Sequence, residues 1–160
     1  MRTLGSVVLA IVLLSAGCDD VAEETGPVTF GNVPLIPALE VPVCGAAGGA
    51  ASGEVTVVVA QDESSVMVED LEFGGLSGPA TAAHLHAGTR GVAGPVVFDI
   101  GENPPSRLSR SFNVADYPDP APAGAPTDYK AFIRDVKAGH AYVNVHTVAC
   151  PSGEIRGQLK

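Results

Sequence analysis

Ala141-Tyr142-Val143-Asn144-Val145-His146-Thr147, then a short turn holding Pro151 and Ser152, then Gly153-Glu154-Ile155-Arg156-Gly157-Gln158-Leu159, decides the fold class. Val143 and Val145 alternate with Tyr142, Asn144 and His146; Ile155, Gly157 and Leu159 alternate with Glu154, Arg156 and Gln158. Successive side chains of an extended chain point to opposite faces, so each run carries one apolar and one polar face. Two such runs joined by a tight turn predict an antiparallel pair with its apolar face in a core and its polar face in solvent.

Upstream, four more runs read as strands. Gly53–Val59 and Ser65–Phe73 flank the polar turn Gln61-Asp62-Glu63-Ser64 and suggest a hairpin; Ala82–Ala87 and Gly94–Ile100 follow. Nineteen glycines and thirteen prolines supply the tight turns such a chain needs. One stretch departs from the pattern. Between Asp128 and Lys137, the residues Tyr129, Phe132, Ile133 and Val136 fall at helical spacing, and Gly139 is placed to terminate the helix. The proline-rich stretch 118–126 before it reads as a surface loop. The fold class expected is all-β, an antiparallel β-sandwich or partly closed barrel with one short helix.

The first seventeen residues read as a signal segment: Arg2 is the positive end, and Val7–Leu14 is apolar but too short to cross a bilayer, which takes about 20 residues. Leu14-Ser15-Ala16-Gly17-Cys18 resembles the bacterial lipobox. That resemblance implies cleavage before Cys18, a diacylglycerol thioether on its sulfur and acylation of the new amino terminus. Several acyl chains hold a protein firmly, at about 0.8 kcal/mol per buried CH₂. The expected organisation is therefore 1–17 signal peptide, 18–33 acidic flexible tether and 34–160 folded domain. The expected location is the bacterial cell envelope, the lipid on Cys18 being the membrane contact. Export leaves Cys44 and Cys150 as an even pair in an oxidising compartment, which predicts a disulfide between them. A net charge of −9 argues against nucleic acid or anionic lipid as an electrostatic partner. An extracytoplasmic protein or other ligand is the partner class that remains.

Several stretches together resemble one family. They are Leu39-Glu40-Val41-Pro42, Ala83-His84-Leu85-His86-Ala87-Gly88, Gly94-Pro95-Val96-Val97, and the closing pair from Gly139 to Thr147 and Pro151 to Leu159. This pattern, running from about Leu35 to Leu159, resembles the CHRD domain, named from chordin and found in many bacterial exported proteins. The resemblance implies a β-rich fold and leaves the activity undefined. The cysteine pair departs from the commoner family pattern, in which the late position is often polar.

The histidines carry the chemistry. His84 and His86 lie at i and i+2 on one predicted strand and share a face; His146 shares a face with Tyr142 and Asn144 on another. If the two strands are neighbours, three imidazoles converge, a donor set suited to copper or zinc. A His-x-His on a sandwich strand also resembles part of the copper site of copper–zinc superoxide dismutases, although that family's full ligand set is absent. The competing reading makes His84, His86 and His146 structural, in a hydrogen-bonded polar network that Asn144, Glu154 and Arg156 complete, with Arg156 and Glu154 exposed or paired. His140, after the helix-ending Gly139, reads as a surface residue. No Gly-x-Ser-x-Gly elbow occurs and no cysteine is left as a nucleophile. Gly88, Gly91 and Gly94 are not followed by the Lys-Ser/Thr of a phosphate loop. An enzyme is not expected. The reading is an envelope-anchored, non-enzymatic binding or structural module; the alternative is a histidine-based copper or zinc protein.

Overall fold

The computed structural model describes residues 26–160. The signal segment, Cys18 and the first part of the expected tether lie outside that range. Eight strands and one helix follow in order: β1 Val28–Leu35, β2 Ser52–Val59, β3 Ser65–Gly74, β4 Ala80–Ala87, β5 Val96–Glu102, β6 Arg107–Asn113, α1 Tyr129–Lys137, β7 Ala141–Thr147 and β8 Ile155–Gln158. They form two antiparallel four-stranded sheets, ordered β1-β2-β3-β6 and β5-β4-β7-β8, and no barrel closes. The fold is a β-sandwich with one short helix.

The core is what period-two patterning builds. Val55, Val57 and Val59 of β2 and Val66 and Val68 of β3 face Ala83 and Leu85 of β4, Val143 and Val145 of β7 and Ile155 of β8 across the sandwich, all buried. Phe98 of β5 stacks on Phe112 of β6 with ring centres 4.5 Å apart, and Phe132 of α1 meets Phe98 edge-on at 5.5 Å. This aromatic cluster ties the two sheets to the helix. Asp128 caps α1 by accepting from the Ala131 N–H at 2.8 Å, and Gly139 takes the left-handed φ of +78° that ends it.

Three expectations need correction. The tether was expected to reach residue 33, but β1 begins at Val28 and already buries Phe30 and Val33. Between those two residues the ladder bulges, with Asn32 at φ +51°, so the buried positions fall three apart and the alternation that announces a strand is lost. Second, β6 gave no strand signal because it is an edge strand with Phe112 as its only fully buried side chain. Third, the polar face of β7 and β8 is not in solvent: every residue of both strands is buried. After β1 the chain crosses to the other sheet, where Ile36 bridges Arg156 through N–H···O bonds of 3.0 and 3.2 Å. From there it runs as cover for that face through a 3-10 turn at Pro37–Leu39. The loop from Gly88 to Pro95 covers it from the other side, accepting hydrogen bonds from Arg156 and Gln158.

Cys44 and Cys150 form the expected disulfide, with Cα atoms 5.8 Å apart and a sequence separation of 106. It joins the covering segment to the β7–β8 turn.

Candidate functional site

Register on the central strands assembles the site. On β4 and β7, His84 lies opposite Asn144, His86 opposite Tyr142 and Ala82 opposite His146. Directly opposed residues project to the same side, so His84, His86, Tyr142, Asn144 and His146 all stand on the face turned away from the apolar core. The three expected histidines come together, each offering a ring nitrogen within 4.8 Å of the other two. His86 and His146 are buried, at 6% and 9% exposure, and His84 is half-buried, which leaves the cluster one accessible side. His140 is not part of it; it sits exposed, 4.0 Å from Asp135.

The backbone decides how two of the rings are oriented. Nδ1 of His86 is 2.9 Å from the Gly94 carbonyl oxygen, and Nδ1 of His146 is 3.1 Å from that of Pro151. A carbonyl only accepts, so each Nδ1 carries the proton and each neutral ring turns a bare Nε2 lone pair inward. Nδ1 of His84 lies 3.0 Å from Nε2 of His146. Two nitrogens on one ion, each bound at about 2.0–2.1 Å, stand about 3.0–3.4 Å apart. Burial lowers the pKa of all three histidines, that of His86 to about 4, while the nearby Asp99 carboxylate partly opposes the shift at His84. At neutral pH the cluster therefore holds neutral imidazoles, the protonation state a metal ion requires.

The support around these rings is a polar layer. His86 stacks on Tyr142 at 4.5 Å between ring centres, and the Arg156 guanidinium lies 3.4 Å over the same tyrosine ring. The Tyr142 hydroxyl donates to the Gly94 carbonyl at 3.2 Å and accepts from the Gly94 N–H at 3.1 Å, fixing the oxygen that orients His86. Gly94 allows this close passage, because a Cβ there would overlap the Ala87 carbonyl. Glu154 takes its expected place in a hydrogen-bonded network, but it is neither exposed nor paired with Arg156. It is buried and accepts from Gly48 N, Ser77 N, Ser77 Oγ and Thr147 Oγ1 at 2.6–2.8 Å. Arg156, likewise buried, donates to the carbonyls of Thr89 and Val92 and to Gln158 Oε1.

Sequence reasoning missed one member of this layer. Glu40 arrives on the covering segment, is 4% exposed, and leaves Oε1 without a hydrogen-bond partner. Its carboxyl fills the space a Cβ on Gly153 would occupy. Burial pushes its pKa from 4.5 up to about 7, with Arg156 and the Asn144 amide partly offsetting the rise. The signal was its place in Leu39-Glu40-Val41-Pro42, which carries the family resemblance but no periodicity to show that Glu40 turns inward.

The arrangement suits three-nitrogen coordination of copper or zinc with a side left open. Backbone carbonyls hold two of the rings in the tautomer that coordination would require, as outer-sphere partners of metal-binding histidines do. No curated protein and no solved structure matches the chain. The family model for the CHRD domain matches residues 32–159, from within β1 to past the end of β8, and the chain belongs to the CHRD-domain family.

Proposed function

We propose that this protein is an exported, lipid-anchored, non-enzymatic CHRD module that binds one copper or zinc ion through His84, His86 and His146. The observation that carries the reading is the convergence of three ring nitrogens, two of them in tautomers fixed by Gly94 and Pro151. The competing structural reading is supported by hydrogen bonds within the cluster, between His84 Nδ1 and His146 Nε2 at 3.0 Å and from the Asn144 amide to Nε2 of His86 and His146 at 3.0 and 2.9 Å. Among the described residues no helix is long and apolar enough to cross a membrane. The lipobox at Leu14–Cys18 is the attachment this reading uses.

Titration of the mature domain with zinc(II) and copper(II) tests the binding function. One equivalent should bind to the wild type, and His86→Ala and His146→Ala should each weaken binding by about 100-fold or more, since outer-sphere changes alone cost about 10–100-fold. Absence of stoichiometric binding would make the cluster a structural network and nothing else. Anchoring is tested by mass spectrometry of the protein from membranes: the amino terminus should be acylated Cys18, and Cys18→Ala should leave unprocessed precursor. An unmodified terminus at another residue would refute the anchor.

A further inference from the structure

His86 and His146 each give Nδ1 to a backbone carbonyl, so both present a bare Nε2 to the interior of the cluster. The Asn144 side chain stands between those two atoms. Its Oδ1 lies 3.0 Å from Nε2 of His86 and 2.9 Å from Nε2 of His146. The position is fixed by the sheet. Asn144 has His84 of β4 opposite it on one side and Arg156 of β8 on the other, and it is 1% exposed, so the amide is enclosed where the register puts it.

An amide oxygen accepts and a bare imidazole nitrogen accepts, so this oxygen and the two nitrogens have no hydrogen to share. Oxygen and nitrogen of an amide are told apart by their partners, and these partners admit two arrangements. In a purely hydrogen-bonded network the NH₂ takes the inward position and gives one hydrogen to each Nε2. Around an ion both Nε2 lone pairs are engaged, and an NH₂ would direct its hydrogens at positive charge; the oxygen is then the end that suits. The separations fit the arrangement around an ion. Donor atoms bound to one ion at about 2.0–2.2 Å stand roughly 3.0 Å apart or a little more. Oδ1 is 2.9 and 3.0 Å from the two Nε2 atoms, and Nδ1 of His84 is 3.0 Å from Nε2 of His146. Oxygen is a donor that zinc accepts beside imidazole.

We propose that the side-chain oxygen of Asn144 is the fourth ligand of the metal site, completing a set of three nitrogens and one oxygen with His84, His86 and His146. The inference rests on the metal-binding reading above and adds a ligand to it. Asn144 supplies its oxygen from the buried part of the cluster, and half-buried His84 remains on the accessible side.

The test is zinc(II) titration of the mature protein and of its Asn144→Asp and Asn144→Leu variants, together with a crystal structure of the zinc-loaded wild type. That structure should place Oδ1 about 2.0–2.2 Å from the ion. Asn144→Asp keeps an oxygen at the position and should bind zinc at least as tightly as the wild type. Asn144→Leu fills the space without a donor and should bind about tenfold more weakly or worse. A zinc ion held by the three histidines with Oδ1 beyond about 3 Å would overturn the proposal and leave the three-histidine site standing. Zinc binding by Asn144→Leu as tight as that of the wild type would do the same. The wild-type structure decides the question even where a variant fails to fold. Failure of the wild type to bind zinc at all would remove the metal-binding reading and this inference together.

Discussion

Glu154 remains ionised in a fully buried position because four donors converge on it. Burial alone would raise its pKa, but the hydrogen bonds from Gly48, Ser77 and Thr147 outweigh that and hold it below the ordinary carboxylate value. The four donors come from three separate parts of the chain, so the carboxylate fastens the loops before β2 and β4 to the end of β7. Glu154→Ala would leave those donors facing a cavity, and an unsatisfied buried donor costs about 1–3 kcal/mol. The loops can relax toward water, so the expected loss in urea-induced unfolding is about 3–5 kcal/mol. A loss below about 1 kcal/mol would show that solvent already reaches these donors. Gly153 is under a different constraint. Its φ of +121° disfavours a side chain, and a Cβ would collide with the Glu40 carboxyl, so Gly153→Ala should both destabilise the fold and expel Glu40 from its place.

The elements divide by how much of their burial shows in local pattern. β2, β7 and α1 were legible because each carries one regular apolar face: Val55, Val57 and Val59, and Val143 and Val145, at period two, and Tyr129, Phe132, Ile133 and Val136 at helical period. β1 was not, since its bulge breaks the alternation, and β6 was not, since an edge strand need bury little. The histidine cluster was legible as two strand faces and needed only the β4–β7 register to bring them together. Its burial was not legible, because the cover comes from the segment 36–44 and the loop 88–95, whose sequences carry no period. The Cys44–Cys150 bond pins the first of these covers. A cross-link closing a loop of this length contributes roughly 4.7 kcal/mol by chain entropy, and commonly less in practice. Paired replacement, Cys44→Ala with Cys150→Ala, should therefore cost about 2–4 kcal/mol and increase hydrogen exchange at the amides of 36–48 ahead of the core strands. Uniform exchange across both sheets would mean that the covering segment does not open separately.

At the scale of the whole molecule, two buried groups with opposite shifts determine how stability responds to pH in the absence of metal. Glu40 has its pKa raised from 4.5 to about 7, so its contribution to stability is fully present below the unfolded value and is lost as pH rises through 7. His86 has its pKa lowered from 6.5 to about 4, so its contribution is present above 6.5 and is lost as pH falls toward 4. Between about pH 4.5 and 6.5 the folded protein holds a proton on Glu40 where the unfolded chain holds one on His86. Bound protons are then nearly equal in the two states, and these two groups leave stability almost level. Glu40→Gln removes one side of that balance. At pH 8, where wild-type Glu40 is buried and charged, the variant should be more stable by up to about 3 kcal/mol, at 1.36 kcal/mol per pKa unit. As pH falls from 6.5 toward 4 the variant should lose stability with the full slope of one titrating histidine, steepened by His84 and His146, whose pKa values are lowered in the same direction. Denaturant unfolding of the metal-free proteins at pH 4.5, 6.5 and 8 measures both effects. Parallel stability curves for wild type and variant would show that Glu40 is solvated and titrates alike in the folded and unfolded chain.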